Sequence, residues 1–143
     1  MALILDTGPL LAALDRSDRN HEACAHLLQT TTEQLAIPAP ILSEVDFWMS
    51  ESMGTGAFVA LLDEIIEGIF RVEELTPGDY ERVNELCRAY SDLRIGFVDA
   101  AVLAVTERLD EPKLATLDRR PFTLMKPRHV DGLELLPAIA VAG

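Results

Sequence analysis

The sequence has few cysteines and no long apolar run. Among its 143 residues, only Cys24 and Cys87 are cysteines, and they lack the close spacing of metal-binding pairs. Both lie in apolar helical patterns, so we expect buried free thiols. No stretch is long enough to span a bilayer, and the N-terminus lacks the basic segment of a secretory signal. These absences argue against a disulfide-rich secreted protein or a membrane protein and predict a cytoplasmic one.

Basic residues are also scarce. The chain carries 12 Lys and Arg against 24 Asp and Glu, a formal net charge of −12 at pH 7. This balance argues against loose nucleic-acid binding through bulk positive charge, but it permits an acidic site that reaches phosphates through metal ions. Many of the cations lie in one short stretch, at Lys113, Arg119, Arg120, Lys126 and Arg128. We therefore expect one basic rim on an acidic body.

The length and the apolar pattern predict a single domain over residues 1–143 with a mostly parallel sheet. Short apolar runs predict strands at 2–5, 34–38, 69–75, 113–117 and 133–136. Helical patterns occupy 10–14, 20–29, 40–53, 56–67, 76–90 and 97–109, and a basic loop is expected after residue 117. Strands that alternate with helices, without hairpin signals, are typical of a layered α/β fold.

Four carboxylates stand where a surface acid is not expected. Asp6 and Asp118 each end a predicted strand, Glu44 lies in the helix after the second strand, and Asp99 interrupts the apolar run 95–105. Ligands in open parallel sheets bind at the carboxyl ends of the strands. The four acids could therefore converge on one cleft.

Each of these acids also has an ordinary structural explanation. Asp6 could cap the helix that follows it, and Glu44 could be a solvated helix residue. Asp99 lies in a first helical turn, where the helix dipole favours an acid, and Asp118 could be a turn residue.

The occurrence of all four acids together favours a metal site. Several carboxylates in one cleft raise one another's pKa unless cations neutralise them. Hard oxygen ligands of this kind suit Mg²⁺ or Mn²⁺. Such metals activate water and hold a scissile phosphate, so phosphodiester hydrolysis is the natural chemistry.

Four segments carry a family resemblance. They are Leu5-Asp-Thr-Gly-Pro-Leu-Leu-Ala-Ala-Leu14, Ser43-Glu-Val45, Gly96-Phe-Val-Asp-Ala-Ala101 and Thr116-Leu-Asp-Arg-Arg-Pro-Phe122. In their order and spacing the chain resembles the PIN-domain ribonucleases, especially the VapC toxins of bacterial type II toxin–antitoxin pairs. The resemblance implies a three-layer α/β/α PIN-like domain and an Mg²⁺- or Mn²⁺-dependent endoribonuclease.

The resemblance also implies roles for individual residues. Carried over by position, the acidic quartet is Asp6, Glu44, Asp99 and Asp118. Asp6 and Asp99 are expected to be the main metal ligands, and Thr7 and Thr116 to support the cleft with their hydroxyls. One departure is Gly8, where many relatives carry Ser. The candidates for RNA-backbone contacts are Arg119, Arg120, Lys126 and Arg128.

Two protein partners follow from the same resemblance, a second copy of the chain in a homodimer and a small antitoxin that covers the site. The apolar residues near Glu44 are either core or part of the antitoxin groove; they are Phe47, Trp48, Met49 and Met53.

Two other functions are considered. A phospho-receiver domain would need an acidic pair after the first strand and a late Lys in the site, but Asp6 has no acidic neighbour and Asp118 stands at the Lys position. A non-catalytic PIN-like domain that only binds RNA or protein is the remaining alternative, and the complete quartet weighs against it.

Overall fold

The computed structural model describes residues 1–138, and residues 139–143 of the predicted 1–143 domain lie outside the described residues. The strands are β1 (Ala2–Leu5), β2 (Gln34–Pro38), β3 (Phe70–Glu73), β4 (Lys113–Ala115) and β5 (Glu134–Leu136). The helices are α1 (Thr7–Leu14), α2 (His21–Thr30), α3 (Ile41–Met53), α4 (Thr55–Ile66), α5 (Pro77–Ala89), α6 (Phe97–Arg108) and α7 (Arg120–Leu124), with a 3₁₀ turn at Ser91–Leu93.

The five described strands form one sheet in the order β3-β2-β1-β4-β5, and every neighbouring pair is parallel. In the central strand, Ile4 lies opposite Ala36 on one side and Leu114 on the other. The predicted α/β fold with a mostly parallel sheet is therefore confirmed.

The helices cover both faces of this sheet. Parallel strands joined through a helix almost always make a right-handed crossover. The chain moves outward from β1 to β3 and then returns to β4 and β5 on the other side, so α1–α4 and α5–α7 cover opposite faces. The packing agrees, because α1 contacts α2 and α3, α3 contacts α4, and α6 contacts α5 and α7. The result is three layers.

The core explains why β1 and α6 are so apolar. All four residues of β1 are buried, as expected for a strand with helices on both faces. In α6 the run from Ala100 to Thr106 is buried without a break. The Thr106 hydroxyl is satisfied within the helix, because it donates a hydrogen bond to the Val102 carbonyl at 2.8 Å.

Local signals set several helix ends. Thr76 begins α5 with a capping box: its hydroxyl accepts from the Asp79 N–H at 3.1 Å, and the Asp79 carboxylate accepts from the Thr76 N–H at 3.0 Å. Gly54 ends α3 at φ 85°, a conformation that favours glycine. The first helix begins at Thr7 rather than at residue 10, because Asp6 caps it and Pro9 fits its first turn.

The prediction of a basic loop after residue 117 is wrong for residues 120–124, which form the helix α7. Pro121 lies in the first turn of this helix, and the Phe122 and Met125 side chains are buried in the core. The charges around these apolar residues make the stretch look like a solvated loop in the sequence.

Both cysteines are free, as predicted. Cys24 is buried, which raises the pKa of its thiol to about 11, whereas Cys87 is only half-buried. Of the helices described, none combines the length and the apolar character needed to cross a bilayer.

Leu3→Ala in the central strand should strongly destabilise the fold. The Leu3 side chain is 1% exposed, and truncating a buried leucine costs about 2–5 kcal/mol in the free energy of unfolding. The matched control is Leu62→Ala on α4, where the side chain is 38% exposed and the cost should stay below about 1 kcal/mol. Urea unfolding measures both, and equal losses would contradict the assigned core.

Candidate active site

The acids gather at the point where the strand order reverses. β1 is flanked by β2 and β4, and the connections from these strands leave in opposite directions. A crevice opens outside the carboxyl ends of the strands at such a point. Asp6 directly follows β1, and Asp118 follows β4 by three residues. The topology thus brings these two acids to one crevice.

Asp6 is held by two hydrogen bonds. Its Oδ1 accepts from the Thr7 N–H at 2.8 Å, and its Oδ2 accepts from the Thr116 hydroxyl at 2.8 Å. The residue is 6% exposed, and burial is the main reason that its pKa is raised, although both hydrogen bonds act in the opposite direction. Asp6 therefore caps α1 and also lies in the cleft, so capping does not exclude a site.

Thr7 connects Asp6 to Glu44. The Thr7 hydroxyl donates to Oε1 of Glu44 at 2.7 Å, while its N–H is engaged by Asp6. Glu44 lies in the first turn of α3 and is half-buried. One residue of α1 thus fixes two of the four carboxylates.

Asp99 is influenced by the negative charges of the other three acids. It lies in the first turn of α6, and its pKa is raised to about 6, chiefly by burial and then by the negative charges of Asp6, Asp118 and Glu44. The other three acids are therefore close enough to act on the Asp99 carboxyl, and among them Asp6 is buried and Asp118 is exposed.

The segment that carries Asp118 packs closely on α1. The Thr116 hydroxyl lies 3.2 Å from the Asp118 carbonyl oxygen. A Cβ atom added to Gly8 would lie 3.1 Å from the Leu117 Cβ, tighter than an ordinary contact. The glycine at this position therefore permits the close approach, and a serine would require Leu117 to shift.

The donor set fits a hard divalent cation. Over residues 1–138, no three His, Cys, Asp or Glu side chains converge closely enough to hold an ion by themselves. Mg²⁺, however, usually takes one or two carboxylates and keeps several waters. The chemistry of Asp6 and Asp99, two carboxylates in a cluster short of positive charge, suits that mode of binding.

The basic candidates are not all near the quartet. Arg119 and Arg120 directly follow Asp118; the Arg119 guanidinium donates to the Pro137 carbonyl, and that of Arg120 donates to the Leu93 carbonyl at 3.3 Å. Lys126 is exposed, and its backbone N–H donates to the Tyr90 hydroxyl at 2.9 Å.

Arg128 lies away from the carboxylates. Its guanidinium pairs with Glu85, and its N–H donates to Oε2 of Glu107 at 2.8 Å. Glu107 is eight residues after Asp99 on α6, so the two are about 12 Å apart along the helix axis. A role for Arg128 in RNA binding stays a prediction, and it would require breaking this ion pair.

Two exposed aromatic residues, Tyr80 and Phe97, line one groove with Ser43 and Val98, the neighbours of Glu44 and Asp99 in the sequence, and have no role assigned from the sequence. The available signal is the position of Phe97, which opens α6 two residues before Asp99. Nothing in the sequence around Tyr80 indicates that α5 brings it to the same place.

These features define a class: a parallel α/β protein with an acidic cleft at the switch point of its sheet. The PIN domain family model matches residues 3–126, so the chain belongs to the PIN-domain family. The resemblance seen in the sequence is confirmed.

Similar proteins support this membership. Ribonuclease VapC26 of Mycobacterium tuberculosis is 28% identical over 125 residues, which are 87% of this chain and 93% of that protein. The crystal structure of VapC20 from the same organism, a sarcin–ricin loop cleaving toxin, matches with a TM-score of 0.71 at 21% identity, over 78% of this chain and 86% of VapC20. A toxin–antitoxin complex from Klebsiella pneumoniae matches with a TM-score of 0.64 at 20% identity, over 86% and 92%. The structural matches confirm the PIN-like fold.

Asp99→Asn should stabilise the metal-free protein, and more so as pH rises. The folded pKa of about 6 exceeds the ordinary aspartate pKa of 3.8, so between these values the folded state holds more protons and wild-type stability falls with rising pH. The variant lacks this loss. Urea unfolding in EDTA should show Asp99→Asn above wild type near neutral pH, with a difference that shrinks towards pH 3.8.

The matched control is Asp92→Asn, an exposed substitution in the 3₁₀ turn that should change the free energy of unfolding by less than about 0.5 kcal/mol. If the free energies of unfolding of wild type and Asp99→Asn changed in parallel across this pH range, the raised pKa of Asp99 would be contradicted.

Proposed function

We propose that the protein is a metal-dependent endoribonuclease that hydrolyses RNA phosphodiester bonds as the toxin of a type II toxin–antitoxin pair. The single observation that carries the proposal is the gathering of acids at the switch point of a PIN fold, where Thr7 hydrogen-bonds both Asp6 and Glu44. A relative named as a ribonuclease and a fold neighbour named as a sarcin–ricin loop cleaving toxin support it.

Asp6 and Asp99 would hold the divalent ion, Mg²⁺ or Mn²⁺. When bound, the ion supplies charge stabilisation for the phosphate and an acidified water. Thr116 holds Asp6 in place by donating to Oδ2. Thr7 occupies Oε1 of Glu44, which leaves Oε2 to orient a water or accept its proton. Asp118, the exposed member, would act at the entrance through a second ion or through water.

The surrounding charge explains why a cation is needed. RNA brings further negative charge to a protein of net charge −12, so the cleft must be neutralised before a phosphate can enter. Arg119, Arg120 and Lys126 would steer the backbone from the Asp118 side. This function places the protein in the cytoplasm with its RNA substrate.

A non-catalytic PIN-like domain is the second candidate. The observation that favours it is the lack of three converging metal-ligating side chains in the part of the chain that the structure describes. Such a domain would bind RNA or protein without cleaving it, and metal binding separates it from the enzyme.

Asp6→Asn and Asp99→Asn should each lower RNA cleavage at least about a hundredfold. A catalytic metal supplies several kcal/mol of charge stabilisation, and each 1.36 kcal/mol is a factor of ten in rate. Cleavage of total RNA with Mg²⁺, followed by mapping of the cut sites, measures the loss. Mn²⁺ should also raise the melting temperature of the wild type and have little effect on either variant.

The control is Asp63→Asn, which removes an exposed acid from α4 and should cleave like the wild type. Folded Asp6→Asn and Asp99→Asn variants with wild-type rates would refute the assigned metal site. A wild type that neither cleaves RNA nor binds Mn²⁺ would favour the non-catalytic domain.

We further propose that an antitoxin binds the apolar surface of α3 and α4 and that the chain forms homodimers. Phe47 and Trp48 are 55% and 53% exposed, with their rings edge-to-face at 5.0 Å, and Ile66 is 81% exposed. Exposed apolar side chains on neighbouring helices are typical of a protein contact. Met49 belongs to the core, and Met53 packs partly against it.

Trp48→Ser should weaken antitoxin binding while the homodimer persists. Loss of a central aromatic contact typically costs more than about 1 kcal/mol, or roughly fivefold in Kd. Sedimentation of the chain, alone and with its proposed antitoxin, measures both assemblies. Leu124→Ser on the opposite face is the control. Wild-type antitoxin affinity in Trp48→Ser would place the contact elsewhere.

A further inference from the structure

A groove of about 360 Å³ adjoins the acidic cleft. It lies between the first turns of α3, α5 and α6, and we call it the aromatic groove. The residues that define it here are Pro40, Ser43, Glu74, Tyr80, Phe97 and Val98.

The aromatic groove is continuous with the quartet through two helices. Ser43 precedes Glu44 on α3, and Val98 precedes Asp99 on α6. Consecutive helical residues project about 100° apart, so the groove and the carboxylates occupy adjoining faces of the same two helical turns. A molecule whose phosphate lies at the carboxylates can therefore place its next group in the groove.

The two aromatic walls are exposed. Phe97 is 47% exposed and Tyr80 is 55% exposed, so neither side chain is mainly a core residue. A single exposed aromatic residue is common on a protein surface and needs no explanation. Here two of them, from different helices, line one concave surface that also includes Ser43 and Val98, the neighbours of Glu44 and Asp99.

The polar lining indicates a neutral, planar occupant with hydrogen-bond donors. None of the described residues that line the aromatic groove is basic, and Glu74 is acidic, so a phosphate group would be repelled. The Glu74 carbonyl is held by Arg108 Nη2 at 3.1 Å, while its side chain is exposed. The Glu74 carboxylate can accept from an exocyclic amino group, which adenine, cytosine and guanine carry and uracil lacks.

We propose that the aromatic groove binds an unstacked nucleobase next to the cleaved phosphodiester, with Phe97 and Tyr80 as stacking surfaces and Glu74 as the acceptor for a base amino group. The proposal rests on the proposed ribonuclease function and narrows its substrate. Only single-stranded or looped RNA can present such a base, because a base within a duplex is stacked and paired. Phe97, Tyr80 and Glu74 are thus specificity-determining residues.

Phe97→Ala and Tyr80→Ala should each raise KM for a short fluorescein-labelled single-stranded RNA of mixed sequence. Loss of one base-stacking side chain corresponds to about fivefold to 150-fold weaker binding. Ile69→Ala is the matched control, because Ile69 is similarly exposed, at 49%, but lies outside the groove. Melting temperatures verify folding, and Phe97→Leu, which keeps an apolar side chain but no ring, replaces Phe97→Ala if that variant unfolds.

Glu74→Gln tests base choice separately. The wild type should cleave poly(A) and poly(C) faster than poly(U), and the variant should reduce this preference, because a neutral amide replaces the charged acceptor. The same RNA sequences in duplex form should be resistant in both proteins. An unchanged preference in Glu74→Gln would remove Glu74 from the proposal.

The groove and the ribonuclease activity can fail independently of each other. Cleavage by the wild type with unchanged KM in both aromatic variants would overturn the groove proposal and leave the ribonuclease intact. If the wild type leaves every RNA uncut, the ribonuclease proposal fails. Fluorescence anisotropy of the labelled RNA then tests the groove by itself. Weaker RNA binding in the aromatic variants supports a base-binding surface, and unchanged RNA affinity in these variants overturns it.

Discussion

The repulsion among four neighbouring carboxylates is the constraint on which the rest of this structure depends. Burial already disfavours the charged forms of Asp6 and Asp99, and the neighbouring charges act in the same direction. A flexible chain would relieve this repulsion by moving the acids apart. The protein instead fixes Asp6 through two hydrogen bonds. The backbone N–H of Thr7 and the hydroxyl of Thr116 donate to its two carboxylate oxygens. The cleft is therefore prepared for positive charge before any ligand arrives.

The layered fold supplies the rigidity that this arrangement requires. Asp6 extends from a strand buried on both faces, and its own N–H donates to the Ala115 carbonyl at 2.9 Å, which joins β1 to β4 at the cleft. Asp99 lies in the first turn of a helix with an unbroken buried stretch, so the core holds its backbone in place. The hydrophobic effect thus holds charges in positions that electrostatics alone would oppose.

The sequence predicts the parts of the site that depend on local pattern. Apolar strands that end in Asp6 and Asp118 indicate the sheet edge, and the predicted α/β class is confirmed by the all-parallel sheet of described strands. Features that depend on tertiary contacts are less accessible. The pairing of Arg128 with Glu85 joins residues 43 positions apart, and the charges around Phe122 hide a short core helix. The groove formed by Tyr80 and Phe97 likewise requires two helices to meet, which no local signal predicts.

The Thr116 hydroxyl has a consequence beyond support of the cleft. It lies 2.8 Å from Oδ2 of Asp6 and 3.2 Å from the Asp118 carbonyl oxygen, but a hydroxyl has only one proton to donate. While Asp6 is ionised, that proton points to Asp6. When Asp6 takes up a proton of its own, the hydroxyl can rotate and donate to the backbone carbonyl of Asp118. One hydroxyl just beyond β4 is therefore shared between the side chain of the most buried acid and the backbone of the most exposed one.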